Sequence, residues 1–286
     1  MKLSVIVTAK NINDQKLKDL ECSLTQQTFQ DFEKIIVTEG DSESAKGIGL
    51  RKAKGEIVCI LASDNYLNDP CFFSKCLRPF RDKDIIGSFP ARYYYDWQDN
   101  MLNRYFALFG VNDPIPLYLN KNDRYPYYIP IEDMYSIIEL KQVPTLGDNG
   151  FFIRQDVLMQ ADIEHYYHID VCQDLFDKGY KTYAVVNTSI WHKTGGDIFS
   201  FFSKRLKYAD KFYHNRRWHM VERKDLLKLS WFILCTLTLI QPLYLSIKGY
   251  MVIKDKAWFL HLPICIITIG VYGLWTLKKL IMRYTK

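Results

Sequence analysis

Five consecutive apolar residues, Ile57 to Leu61, sit between Gly55 and the polar triplet Ser63-Asp64-Asn65. A β-branched run of that length with no polar alternation reads as a strand buried on both faces, as in a parallel sheet. Two similar runs precede it, Leu3 to Ala9 and Ile35 to Thr38. Between them, Leu17, Leu20 and Leu24 fall at helical spacing within Lys16 to Gln27. Ser44 to Lys54 forms a second helical segment, with Gly55 as its expected C-cap. Strand, helix, strand, helix, strand is a pair of βαβ units, whose strands run parallel with right-handed crossovers. Ligands of such sheets bind beyond the carboxyl ends of the strands. Three polar loops converge there: Asn11 to Asp14, Glu39 to Glu43 and Ser63 to Asn65. Asp64 stands where a carboxylate can hold a divalent cation, and the cation a diphosphate. The same triplet would equally well turn the chain and cap a helix.

Further along, Pro70 to Arg81 predicts a helix and Asp84 to Pro90 a strand. Then comes an aromatic stretch running from Ala91 to Pro130, rich in Tyr and Trp, with Asp96, Asp99, Asp113 and Asp123 interspersed. It reads either as an excursion packing its rings on the sheet or as a wall for sugar binding. Val185 to Trp191 predicts a last strand, followed by His192 and Lys193. Phe199 to Arg217 interleaves Phe, Leu and Tyr with Lys204, Arg205 and Lys207, a basic amphipathic helix suited to a membrane interface or a lipid phosphate. A solvated basic face is the plainer reading of the same pattern.

Two apolar stretches close the chain, Leu229 to Ile247, interrupted by Gln241-Pro242, and Ala257 to Leu277. Both reach the ~20 residues that cross a bilayer. The net charge is +6, and the excess clusters beside these stretches, which points to a membrane surface rather than nucleic acid. The basic flanks predict a transmembrane hairpin with both ends cytoplasmic. The first apolar run is too short for a cleaved export signal, which also predicts a cytoplasmic catalytic part. Seven Cys at irregular spacing, with no CxxC, read as reduced thiols. The expected organisation is residues 1–198 as an α/β domain, 199–228 as a basic amphipathic juxtamembrane segment and 229–286 as two transmembrane helices.

The segments SVIVTAKN, SLTQQTFQDFEKIIVTEGDSES and KGIGLRKAKGEIVCILASDN, in that order and spacing, resemble the amino-terminal half of the family 2 glycosyltransferases of GT-A fold. The resemblance implies a Rossmann-like, mostly parallel catalytic domain that transfers a sugar, with inversion, from a nucleotide-diphosphate sugar with the aid of Mg²⁺ or Mn²⁺. Together with the C-terminal stretches it implies a lipid-linked or membrane-associated acceptor. Position by position, Glu39 matches a base-contacting carboxylate and Asp64 a metal ligand. Thr8 and Asn11 fall in the first nucleotide loop, and Ser63 flanks the metal carboxylate. The chain departs from the family at Thr38 and Ala62, each standing where an Asp is usual, and at Lys46-Gly47, where Arg-Asn is usual. VPTLGDNGFFIR resembles the segment before the acceptor side, which places Asn149 and Gly150 in the pocket beside Asp148. Counting back from Gly179-Tyr180, the family's acidic pair falls on Tyr167-His168, or on Asp170 after a two-residue shift. Asp170 is the preferred general base and His168 its competitor. His192 matches a His that touches metal or diphosphate, with Lys193 beside it. Two other readings share the fold: a polyprenyl-phosphate sugar synthase, and a membrane-anchored module that binds nucleotide sugar without turnover.

Overall fold

The structure, a computed structural model, describes residues 2–164, 166–193, 197–214 and 223–284. In chain order the elements are β1 (Leu3–Thr8), α1 (Gln15–Thr25), β2 (Phe32–Val37), α2 (Ser44–Lys52), β3 (Ile57–Ala62), β4 (Asn65–Tyr66), α3 (Phe72–Leu77), β5 (Gly87–Tyr93), α4 (Met101–Phe109), α5 (Pro114–Leu119), β6 (Tyr135–Glu139), β7 (Phe151–Arg154), α6 (Gln155–Leu158), α7 (His168–Asp177), β8 (Thr182–His192), α8 (Ile198–His214), α9 (Leu226–Leu237), α10 (Ile240–Val252) and α11 (His261–Tyr284). They form two units. The first is Met1–Tyr95, Asp123–Tyr125 and Pro130–Lys193; the second is Asp96–Asn122, Pro126–Ile129 and Thr194–Lys286.

The first unit is an eight-stranded mixed sheet in the order β2-β1-β3-β7-β5-β8-β4, with β6 also paired to β8. β1 pairs in parallel with β2 and with β3, as the unbroken apolar runs predict. β1 is buried throughout, and β3 from Ile57 to Leu61. β5 and β8 are parallel to each other. β7 enters between β3 and β5 antiparallel to both. The cause is local: Asn149 and Gly150 both have positive φ, 53° and 81°, and turn the chain into the sheet from the opposite end. Gly150 N–H donates to the Ile60 carbonyl at 2.8 Å, which sets the entry. The dominant direction is thus parallel, with β7, β6 and β4 opposed.

Two glycines hold α2 and the start of β3 against β1. The C-cap of α2 is Ala53, not Gly55. Gly55 instead lies against β1: its N–H donates to Ser4 Oγ at 2.7 Å, and a Cβ there would fall 2.6 Å from the Ser4 nitrogen. A Cβ on Gly49 would fall 2.4 Å from Ile6 Cγ2. Gly49→Ala is therefore expected to destabilise the unit by ~1–3 kcal/mol through overpacking, despite alanine's better helix propensity. Urea unfolding of the two proteins side by side checks this.

The second unit gathers the aromatic stretch with the C-terminal helices. Phe109 stacks on His261 at 4.1 Å and meets Trp258 edge-on at 4.7 Å, while Tyr118 packs on Phe232 at 4.6 Å. Arg104 pairs with Asp255 at 2.9 Å, and buried Lys121 with buried Asp225 at 2.6 Å. Residues 96–122 thus group with the C-terminal helices, whereas the division drawn along the sequence left them in the α/β domain.

Of the expected hairpin, one member is a single long helix and the other is bent. Lys256–Lys279 is long and apolar enough to cross a membrane. The first stretch is instead two helices, α9 and α10, bent by 78° at their junction. Leu239 carries the left-handed conformation that makes the turn, with φ of 61°. The reason is Pro242: it has no N–H, and its ring would clash with the carbonyl four residues back, at Thr238. The break therefore precedes the proline that the sequence shows.

Candidate functional site

The carboxyl ends of β1, β2 and β3 lie side by side. Ala9 N–H donates to the Val37 carbonyl at 3.0 Å and Ser63 N–H to the Thr8 carbonyl at 3.0 Å. Thr8 is buried there, and Asn11 and Glu39 are exposed in the loops that follow. Asn11 Oδ1 accepts from Asn13 N–H, and Asp14 caps α1. After β3 the turn is tied by Asn65, which is fully buried. Its Oδ1 accepts from Ala62 N–H at 2.9 Å and its Nδ2 donates to Asn149 Oδ1 at 3.0 Å. Ser63 and Asp64 ride on this turn, partly exposed.

β4 then pairs with the end of β8, matching Asn65 to His192 and Tyr66 to Trp191. Lys193 N–H donates to the Asp64 carbonyl at 3.1 Å. This short ladder brings His192 Nε2 within 3.6 Å of Asp64 Oδ1. A carboxylate and an imidazole at that separation approach the ~3 Å edge of an octahedron with ~2.1 Å bonds, so the two fit as neighbouring ligands of one divalent cation. The Lys193 ammonium lies 3.7 Å from the Trp191 ring centre and 5.2 Å from that of Tyr66, and Tyr66 packs edge-on to Trp191. Aromatic faces thus hold this cation next in sequence to His192.

A second cluster, which the sequence did not reveal, joins α2, the loop before β7 and the start of α7. Glu43, Asp148 and His168 each offer an atom within 4.8 Å of the others. Lys46, almost wholly buried, donates to Asp148 Oδ2 at 2.8 Å and to Glu43 Oε1 at 3.1 Å. Glu43 Oε2 accepts from His168 N–H and lies 3.1 Å from His168 Nδ1. Burial opposes the charge on Glu43, but Lys46 and His168 outweigh it and hold the carboxyl well below its usual range. Burial likewise opposes the charge on Lys46, and Asp148 and Glu43 outweigh it and raise the ammonium above its usual range. An ammonium already neutralises these carboxylates. His168 is drawn to Glu43 here. Asp170 lies in the first turn of α7 and is buried.

Gly150 follows Asn149 in the turn held by Asn65. The Asn149 carbonyl accepts from Arg124 Nη2 at 2.7 Å. Arg124 is buried between the rings of Phe89 and Tyr93, at 5.8 and 5.2 Å. In the second unit, Lys204 and Lys207 are exposed on α8. Arg205 turns inward, donating to the Asn112 carbonyl at 2.8 Å and facing Asp113 at 3.5 Å. Thr194 to Gly196 and the arginines at 216 and 217 lie outside the described residues.

No family model and no curated protein matches the chain. Among solved structures it is similar to TarS of S. aureus, at 14 % identity and TM-score 0.43, over 76 % of this chain and 40 % of that one. A mycobacterial protein matches at 12 % identity and TM-score 0.45, over 74 % and 73 %. Glucosyl-3-phosphoglycerate synthase of Mycobacterium tuberculosis, solved with Mn²⁺ and uridine-diphosphate-glucose, matches at 15 % identity and TM-score 0.46, over 74 % and 78 %.

Proposed function

We infer that the chain is a glycosyltransferase that uses a nucleotide-diphosphate sugar and inverts the anomeric centre. Its acceptor is lipid-linked or membrane-associated. The observation that carries this reading is the Asp64–His192 pair at the carboxyl end of β3, 3.6 Å apart and set by the β4–β8 ladder. The ordered resemblance of residues 4 to 65 to the family 2 glycosyltransferases supports it.

Asp64 and His192 would hold a divalent cation, which when bound offsets the charge that develops on the leaving diphosphate. An imidazole in the donor set favours Mn²⁺ over Mg²⁺, since Mg²⁺ takes oxygen ligands almost exclusively. Lys193 adds a second positive charge next to the pair. Thr8, Asn11 and Glu39 line the nucleotide end, and the turn at Asn149-Gly150 the sugar end. The acceptor oxygen attacks the anomeric carbon as the bond to the diphosphate oxygen breaks. Asp170 takes the proton when the acceptor is a hydroxyl; a phosphate acceptor is already anionic and needs no base.

The test is nucleotide release from purified, detergent-solubilised full-length protein, across UDP- and GDP-sugars with membrane lipid extract supplied. Release from one donor, abolished by EDTA and restored better by Mn²⁺ than by Mg²⁺, is the expected result. Nucleotide binding without release from any donor would favour the module that binds without turnover.

A further inference from the structure

Asn65 stands between Asp64 and His192. Asp64 precedes it in the chain, and His192 pairs with it across the β4–β8 ladder. The backbone of Asn65 thus places His192, and its side chain ties the turn that carries Asp64. That side chain is fully buried, and both ends of its amide are engaged. Oδ1 accepts from Ala62 N–H at 2.9 Å, and Nδ2 donates to Asn149 Oδ1 at 3.0 Å. The Ala62 N–H can only donate, so it fixes which end of the Asn65 amide faces Asn149 and makes Asn149 the acceptor there.

Asn149 is itself anchored on both sides. Its carbonyl accepts from buried Arg124 at 2.7 Å, and the next residue, Gly150, donates its N–H to the Ile60 carbonyl of β3 at 2.8 Å. Asn149 has φ of 53°, a left-handed conformation that few residues besides Gly, Asn and Asp adopt. Such a conformation persists where the surrounding structure over-determines it, and it is concentrated at functional sites. The bonds close a ring that leaves β3 at Ala62, passes through Asn65 and Asn149, and returns to β3 at Ile60. The turn carrying Asp64 and the turn carrying Asn149 are thereby one tied piece.

We propose that Asn65 and Asn149 are positioning residues for the divalent cation: the Asn149 side chain holds Asn65, and Asn65 keeps Asp64 and His192 at the separation one ion bridges. The proposal rests on the reading of Asp64 and His192 as the ligands of that ion. It adds that the Asn149 side chain serves the cation end of the site rather than the sugar end.

Asn149→Gly isolates the contact. Glycine takes the left-handed turn without strain, keeps the carbonyl for Arg124 and removes the acceptor facing Asn65. The buried Asn65 Nδ2 is then left unpaired, and an amide that turns to find another partner releases Ala62 N–H. Mn²⁺ binding to purified full-length protein is read from the electron paramagnetic resonance signal of the free ion, with UDP and separately GDP present and no sugar. The wild type is expected to bind saturably and Asn149→Gly about tenfold more weakly, with an unchanged far-UV circular dichroism spectrum. A contact from Asn149 to the donor sugar would leave this affinity alone, because neither probe carries a sugar. In an Asn65→Ala background the same substitution is expected to have no further effect. Wild-type affinity in Asn149→Gly, or an equal loss in both backgrounds, overturns the proposal; if Asn65→Ala does not fold, the single variant decides. Asp64→Ala is measured alongside. Unchanged Mn²⁺ binding there counts against Asp64 as a ligand, and with it the reading on which the proposal rests. Binding lost in Asp64→Ala but intact in Asn149→Gly leaves the ligand pair standing and removes the positioning role alone.

Discussion

Asp64→Ala is expected to lower sugar transfer about a thousandfold, roughly 4 kcal/mol of barrier, while the protein stays folded. The size follows from the proposed role of Asp64: without its carboxylate the cation would be left to one imidazole and weakly held. The fold should survive because Asp64 is a partly exposed side chain, and the turn it rides on is tied by its neighbour. Buried Asn65 holds Ala62 N–H and Asn149 Oδ1, and the contact to Lys193 uses the Asp64 carbonyl, which alanine keeps. Circular dichroism and urea unfolding should overlay those of the wild type, while nucleotide release no longer responds to added Mn²⁺. Full activity in the purified variant would remove the metal site from Asp64.

Lys46→Met should do the reverse, lowering stability more directly than chemistry. Removing one partner of a buried ion pair costs ~3–5 kcal/mol, because the charge left behind is desolvated and unmatched. Here Glu43 and Asp148 both lose their shared cation. In the wild type the depressed Glu43 pKa contributes stability that is complete above the unfolded value of ~4.3 and is lost as pH falls through the lower folded value. The raised Lys46 pKa contributes stability that is complete below ~10.4 and is lost as pH rises through the higher folded value. Between these limits the pair makes wild-type stability flat with pH. In the variant, burial without the ammonium should push the Glu43 pKa above its unfolded value, so stability falls as pH rises. Urea unfolding of both proteins at pH 5 and pH 8 checks this: the stability of the variant relative to the wild type should fall as pH rises.

What could be read along the chain follows from how each signal is encoded. β1, β2 and β3 were legible because strands of a parallel sheet with helices on its faces must be apolar almost without interruption. Asp64 drew notice because ligands of such sheets bind beyond the carboxyl ends of the strands. Lys46 drew notice only as a departure from the family pattern; its partner Asp148 is on a distant loop, and no local spacing joins them. Arg124 was hidden for the same reason, as a basic residue in an aromatic stretch whose burial depends on Phe89 and Tyr93. The direction of β7 was likewise invisible, since FFIR reads the same in either sense and the decision is made by two positive φ angles before it. Pro242 was visible, but its effect is exerted one helical turn upstream.

That upstream turn is built to do without water. A chain that stops being helical inside hydrocarbon exposes carbonyls that lipid cannot satisfy. At the end of α9 the Thr238 hydroxyl lies 3.0 Å from the Leu234 carbonyl and 3.2 Å from that of Cys235, and Thr236 donates to the Phe232 carbonyl at 2.8 Å. Thr238 N–H also returns to Leu234. At ~1.5 Å per residue, neither α9 nor α10 alone reaches the ~30 Å of a bilayer's interior. Threonine hydroxyls thus give the carbonyls of Phe232, Leu234 and Cys235 partners at the corner itself.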